Sequence, residues 1–414
     1  VSSPQYTRSD ESLAREIDAV GERIPIYTQA FANNPHHFYQ EMRRRYGTLV
    51  PVYMAPGVKA TLVIDYGVAV DILNDPHHFP ADPRHWQKEL TKNYTGKLDF
   101  LPMVEWRPNS LRADGDSPEH VRYRTATQYA LRGINHHQLA ETVERIAHDL
   151  IKNLRPDKKS GTVDLVEHYI APLAFMALNY LVGCPEEIAV KVASASADLF
   201  ESQDTASTNA ELDAALLALV NLKRAEPGDD ITTRLLSHEA NLNDYEMIHQ
   251  LVTCYSAGSE IPQNLIASTL LLQLTDDKYT GHNAQTTATA LTQVLATDPP
   301  LANYCITYPR TRILRGGAWL PAHEPVITSM AACSSAPDVS NGDFASNGWH
   351  LAWGIGPHRC PDHAQMASIR ICTDAIDWLL DALPDMRLAV PQEDLEWRPG
   401  PFHRALAKLP VKLG

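Results

Sequence analysis

Positive charge is in short supply in this chain. Its 36 lysines and arginines face 50 aspartates and glutamates over 414 residues, a formal charge of −14. Nucleic-acid surfaces need basic stripes, so no nucleic-acid partner is expected, although a local basic patch is not excluded. Cysteine is scarce as well: Cys184, Cys254, Cys305, Cys333, Cys360 and Cys372, with no CxxC pair among them. That count does not make a disulfide scaffold. With no signal peptide ahead of them, reduced thiols in a cytoplasmic protein are the simpler reading. Long apolar runs are missing too. Stretches such as 171–182 are too short or too interrupted for the ~20 residues a bilayer span needs. A soluble protein without membrane association is expected, and 44% apolar with 21% charged residues fits it. Internal repeats and composition shifts are also absent. Residues 1–414 are therefore read as one domain, although length alone would allow two or three.

What is present is mostly helical periodicity. A helix is predicted from Asn34-Pro35 to Arg45. Two short strands, 49–53 and 60–64, flank Pro56-Gly57 as a strand-turn-strand, and residues 66–73 return to helix. Residues 79–116 break the pattern with Pro80, Pro83, Gly96, Pro102, Pro108 and Gly115, and carry Trp86, Tyr94, Phe100 and Trp106. A long loop of this kind is commonly a lid or binding loop. The plainer alternative is an excursion anchored to the core by its aromatics. Helical patterns follow at 118–154, 163–182 and 185–200. Pro227-Gly228-Asp229-Asp230 is a turn with an acidic cap, and 243–274 forms one long helical tract. Strand-like runs lie near both ends, including 318–321. The fold class is mainly α with small β-sheets, α+β.

The most informative segment is His350-Leu351-Ala352-Trp353-Gly354-Ile355-Gly356-Pro357-His358-Arg359-Cys360-Pro361. Two glycines allow tight turns close to a flat ligand. A thiolate behind such a loop can be the axial ligand of a haem iron, and cysteinate ligation favours O–O cleavage. His358 and Arg359 should lower the thiol pKa, and a helix starting after Pro361 should bring its N-terminal dipole to the sulfur. The bland reading is a buried structural cysteine after a Gly-Pro turn. No zinc-like partner spacing accompanies it.

Residues 353–362 resemble the cysteine loop of the cytochrome P450 superfamily, Phe-Gly-x-Gly-x-His-x-Cys-x-Gly, with Trp353 for the aromatic and Asp362 for the last glycine. The likeness to the soluble bacterial, actinobacterial type extends over nearly the whole chain. It implies the P450 fold, with haem b (iron protoporphyrin IX) between the long central helix and the cysteine loop. Cys360 would be the iron ligand, and His358 would join the cofactor-binding set. His120-Val121-Arg122-Tyr123-Arg124 resembles the family's His-x-x-x-Arg, whose two side chains contact a propionate; positions i and i+4 share a helix face. The family's third propionate arginine falls on Thr307 here, which makes Arg310 the substitute.

The resemblance also exposes departures. In Ala257-Gly258-Ser259-Glu260-Ile261-Pro262, Gly258 is expected to leave room for dioxygen and Glu260 matches the family acid. The family Thr is Ile261, and Pro262 deprives a carbonyl near position 258 of its helical partner. Ser256, Ser259 and Gln263 are then candidates for an altered proton relay. The family's Glu-x-x-Arg pair is reduced to Gln293 and Ala296, an erosion shared with the 157 family, whose 297–304 and 397–405 segments look alike. The implied activity is oxidation of a small secondary metabolite with dioxygen. Electrons would come from ferredoxin and ferredoxin reductase docking on the cysteine face, where Arg359 and Arg370 supply positive charge. The outcome would be C–C or C–N coupling of an aromatic or cyclodipeptide substrate, or ordinary hydroxylation. Trp86, Trp106, Ala257 and Ile261 are the expected pocket residues, and the chain is expected to be a monomer. A catalytically silent haem- or ligand-binding protein and a structural interaction protein remain the other classes.

Overall fold

The computed structural model describes residues 14–96, 101, 104–201, 205–279, 284–337, 339 and 349–414. Phe100 and Pro102 of the proline-rich loop lie outside them. The hairpin forms as expected, with strands Leu49–Ala55 and Val58–Val63 closed by Pro56-Gly57, where Gly57 takes φ 74°. These strands sit inside a five-stranded sheet ordered Ile24–Pro25, Leu49–Ala55, Val58–Val63, Val326–Ser329, Asn303–Thr307. Both strands of the hairpin are buried on nearly every residue, because helices and loops cover both faces. A bulge interrupts the last pairing between Tyr304 and Ile306, and Cys305 takes φ 20° there. Two three-stranded sheets complete the β-structure.

The helical side carries the larger core. Helix Asp362–Ala382 packs on His136–Asn153 and on Ile261–Thr275, and Thr287–Thr297 packs on Asp362–Ala382 and Ile261–Thr275. The predicted tract 243–274 is not one uniform helix. Asp244–Tyr255 opens on a capping box, Asn243 with Glu246. A π-helical turn, Ser256–Glu260, follows, then Ile261–Thr275. Pro262 is the cause: it has no N–H to close an α-helical bond, and its ring needs the wider turn. Asp230 caps Ile231–Ser237 by accepting from the Thr233 N–H, as its position in the acidic turn indicates.

The loop 79–116 is less irregular than its prolines imply, since Arg84–Asn93 is a helix. Its aromatics mostly face the body of the protein. Trp86 is buried against Tyr308, ring centroids 5.6 Å apart, in the core beside the sheet. The expectation that Trp86 lines a substrate pocket is thereby corrected: it anchors the loop. Tyr94 donates to the Pro56 carbonyl, 2.8 Å. Trp106 lies under the Arg84 guanidinium at 3.9 Å and its N–H donates to Gln87 Oε1, 3.0 Å.

Positions 293 and 296, where the resemblance leads one to expect an ion pair, carry no stranded charge. Gln293 accepts from the Tyr279 hydroxyl, 2.8 Å, and Ala296 is 3% exposed in the core. Removing both members of a buried pair leaves no uncompensated ion. Among the described residues, no helix is long and apolar enough to cross a membrane.

Candidate active site

Gly354 and Gly356 adopt φ 65° and 70°, a region where a side chain is strained. At Gly356 a Cβ would fall 2.2 Å from the Leu73 carbonyl oxygen, so only glycine lets the loop lie on the end of helix Tyr66–Leu73. The Cys360 N–H donates to the Trp353 carbonyl, 2.8 Å, which closes the loop on itself. Gln365, in the following helix, donates to the Cys360 carbonyl, 2.6 Å. The sulfur is thereby fixed just ahead of that helix.

Burial pushes the Cys360 thiol up to about 11, against the pull of Arg124 and Arg359. The positive neighbours act in the expected direction, and burial outweighs them. Arg359 has another commitment. It pairs with Asp362 at 2.7 Å, the residue standing where the family has glycine. Arg370 likewise pairs with Asp374, 2.6 Å. Both arginines expected on the docking face are thus paired with carboxylates close by in the chain.

Helix Pro118–Arg132 brings two residues to this loop. Its first turn is capped by Ser117, whose Oγ accepts from the His120 N–H. The His120 ring meets the His358 ring edge-on, centroids 4.9 Å apart. One turn further, Arg124 donates to the Arg359 carbonyl. His358 Nδ1 faces the Ser110 carbonyl at 2.9 Å, and burial, then His120, Arg124 and Arg112, push its pKa down to about 4. The Nε2 atoms of both histidines are buried and unpartnered. Arg310 is elsewhere. It pairs with Asp114 at 2.7 Å and reaches Asp116 at 3.7 Å, and its Nε donates to the His77 carbonyl. It is committed to carboxylates and is not the strand substitute expected for Thr307.

The central helix lies beyond the loop. Tyr255 and Leu265 are buried, yet Ser256 and Ala257 between them are exposed, and 258–261 are half-buried. The central helix thus opens to solvent for one turn within an otherwise buried stretch. The Ser256 hydroxyl donates back to the Val252 carbonyl, 2.8 Å. Gly258 does not open toward this space through its missing side chain. A Cβ there would meet Leu178 at 2.9 Å, so the glycine serves the close approach of helix Ala171–Val182. That corrects the role given to it as the gap for dioxygen. Ser259 lies in the same π turn and Ile261 begins the next helix. Glu260 is held by Arg398 at 2.6 Å. His403, half-buried beside that pair with a buried, unpartnered Nε2, is held low by burial and then by Arg398, with Glu260 opposing. Cys372 donates to the Pro262 carbonyl, 3.7 Å, tying the cysteine helix to the break in the central one.

Arg398, His403 and Arg112 were not singled out by sequence reasoning. The first two lie in the 397–405 segment that looked typical of relatives, but nothing local showed that it reaches the central helix. These groups fit a haem. A single half-buried thiol suits a metal that brings its other ligands with it. Two unpartnered histidine edges with the half-buried Arg124 one helical turn away suit a carboxylate-bearing rim. Cys360 would hold the iron, and His120, His358 and Arg124 would lie toward the propionates. Bound there, haem supplies electron transfer and dioxygen chemistry tuned by a thiolate ligand.

Comparison with known proteins agrees. No protein-family model matches the chain. It is 26% identical over 393 residues to 2-hydroxy-5-methyl-1-naphthoate 7-hydroxylase of Streptomyces carzinostaticus, covering 89% of this chain and 93% of that one. It is 27% identical over 403 residues to cytochrome P450 monooxygenase PikC of Streptomyces venezuelae, covering 93% and 92%. Nocardicin C N-oxygenase of Nocardia uniformis is 27% identical over 72% of this chain and 77% of its own. Among solved structures, CYP154C4 from Streptomyces sp. W2061 superposes with a TM-score of 0.82 at 24% identity, over 95% of this chain and 98% of that one. With the shared fold and near full-length likeness, this chain is similar throughout to cytochrome P450 enzymes, oxidoreductases whose cofactor is haem b.

Proposed function

We propose that this oxidoreductase modifies a small secondary metabolite by inserting an oxygen atom from dioxygen, with electrons delivered by a ferredoxin and its reductase. The observation that carries this reading is the Cys360 thiol, fixed by the Trp353 and Gln365 contacts at the start of a helix that Cys372 ties to the break in the central one. Asn109 donates to Thr253 Oγ1, 2.8 Å, which draws the 104–116 loop to the helix as a roof over the substrate space. Relatives named as hydroxylases and an N-oxygenase support insertion as the reaction type. Glu260, anchored by Arg398, is the acid nearest the missing hydroxyl and the candidate for managing protons.

A second outcome, oxidative C–C or C–N coupling of an aromatic or cyclodipeptide substrate, is favoured by one feature. Ile261 has no hydroxyl where the family has one, and a reaction that draws hydrogen from the substrate depends less on that group. The loop aromatics do not add to it, since Trp86 and Trp106 are engaged by the protein. The carbon monoxide difference spectrum of the reduced protein tests the site: a thiolate-type Soret band that vanishes in Cys360→Ala supports it, and its absence from the wild type defeats it. Turnover under isotopically labelled dioxygen separates the outcomes. A labelled oxygen in the product means insertion; a joined product lighter by two hydrogens means coupling.

A further inference from the structure

The turn that carries Arg398 to Glu260 is built around a second polar residue. Its ends are closed by the antiparallel bridge of Trp397 with Leu406 and by the Arg398 N–H, which donates to the Ala405 carbonyl, 2.9 Å. Asn303 Nδ2 donates to the Pro401 carbonyl, 3.2 Å, and holds the tip. A Cβ on Gly400 would lie 2.5 Å from His403 Cε1 and 3.1 Å from its Nε2. The glycine is therefore the seat of the imidazole. His403 Nε2 and Arg398 Nε are both buried and, among the described residues, unpartnered. The Arg398 nitrogen that reaches Glu260 is a terminal one, at 2.6 Å.

This turn walls a cavity of about 10 Å³, the size that holds a single water. Arg398, His403 and Arg404 line it from the turn, Tyr39 from helix Pro35–Tyr46, and Asn303 from strand Asn303–Thr307. The Tyr39 hydroxyl is engaged by Asn303 Oδ1, 3.0 Å, and Arg404 by Asp298, which His36 also holds. An arginine does not give up its proton, so neither Arg398 nor Arg404 can carry one to Glu260. Imidazole exchanges a proton near neutral pH. Among the groups lining the cavity, His403 is the one suited to that task.

We propose that His403, with one water in this cavity, passes protons to Glu260, while Arg398 holds the carboxylate in line. This rests on the readings that haem sits at Cys360 and that Glu260 manages protons. Reduction of dioxygen to hydrogen peroxide takes two electrons, from NADPH through ferredoxin, and two protons. For each proton, the His403 imidazolium gives one to Glu260 and regains one from the cavity water, which draws on solvent.

The test uses haem-loaded protein without added substrate, supplied with NADPH, a ferredoxin, its reductase and dioxygen. Peroxide release, corrected for superoxide, is followed in H2O and D2O. His403→Gln should slow it about tenfold. Its solvent isotope effect should exceed that of the wild type, with the carbon monoxide spectrum unchanged. Gly400→Ala should act in the same direction with the imidazole still present, because the methyl displaces the ring. Where His403→Gln does not fold, His403→Asn takes its place. A second readout is independent of turnover. In the reduced, carbon monoxide-bound protein, the imidazole NMR signal that His403→Gln removes should titrate at lower pH in Glu260→Gln, since the anion favouring the charged ring is gone. Unchanged peroxide release in His403→Gln or Gly400→Ala overturns the proposal. So does slower release with an unaltered isotope effect, which marks a packing role, or a His403 titration indifferent to Glu260→Gln. A wild type without the thiolate carbon monoxide band overturns the haem reading as well, whereas an intact band with unaltered variants overturns this proposal alone.

Discussion

Gly356 and Gly354 share a positive φ but differ in what surrounds them, which permits a controlled comparison. Alanine at either position takes on the left-handed backbone cost, about 1–2 kcal/mol. At Gly354 the added methyl meets the Cys305 sulfur at 3.4 Å and the Arg359 Cα at 3.8 Å, both ordinary contacts. At Gly356 it would lie 2.2 Å from the Leu73 carbonyl oxygen and 3.1 Å from its carbon. That is backbone at the end of a helix and cannot swing aside. Relief requires the cysteine loop to move, and such overpacking costs about 1–3 kcal/mol more. Gly356→Ala should therefore lose about 2–5 kcal/mol and Gly354→Ala about 1–2 kcal/mol. Denaturant unfolding followed by tryptophan fluorescence measures both, and haem content per chain should fall further in Gly356→Ala. Equal losses in the two variants would refute the reasoning, because the difference rests entirely on the Leu73 contact.

Restoring the hydroxyl with Ile261→Thr should reduce the electrons lost to peroxide per product formed; unchanged uncoupling and product would show that proton control lies elsewhere. Arg398→Ala removes the cation 2.6 Å from Glu260 and should cut turnover about tenfold at constant haem content, a result read from rate and Soret absorbance together. Asp298 is held at about 2: burial alone would raise it, but the His36 hydrogen bond and charge and Arg404 outweigh burial. Because the folded pKa lies below the ordinary value, its contribution is present above about pH 4 and is lost as pH falls toward 2. Asp298→Asn should flatten that acid limb by at most about 2 kcal/mol, screening trimming the effect; an unaltered acid limb would count against the pairing.

Local chemistry was legible from the chain alone. Glycines at 354 and 356 foretold a loop with left-handed turns, and both adopt them. Pro56-Gly57 marked a hairpin, Asp230 a cap, and Pro262 a break in the central helix. Each of these depends on a residue's own backbone or on neighbours a few positions away. The thiol loop is of the same kind, and so the haem-thiolate reading could be reached before any coordinates. What tertiary structure decided was who stands opposite whom. Trp86 packs on Tyr308 rather than a ligand space, Gly258 makes room for Leu178, and Arg359 and Arg370 are matched by Asp362 and Asp374. The burial that raises the Cys360 thiol and the Arg398 clasp on Glu260 join segments far apart in the chain. Desolvation and charge pairing depend on everything within a few ångströms, and that neighbourhood exists only once the chain has folded.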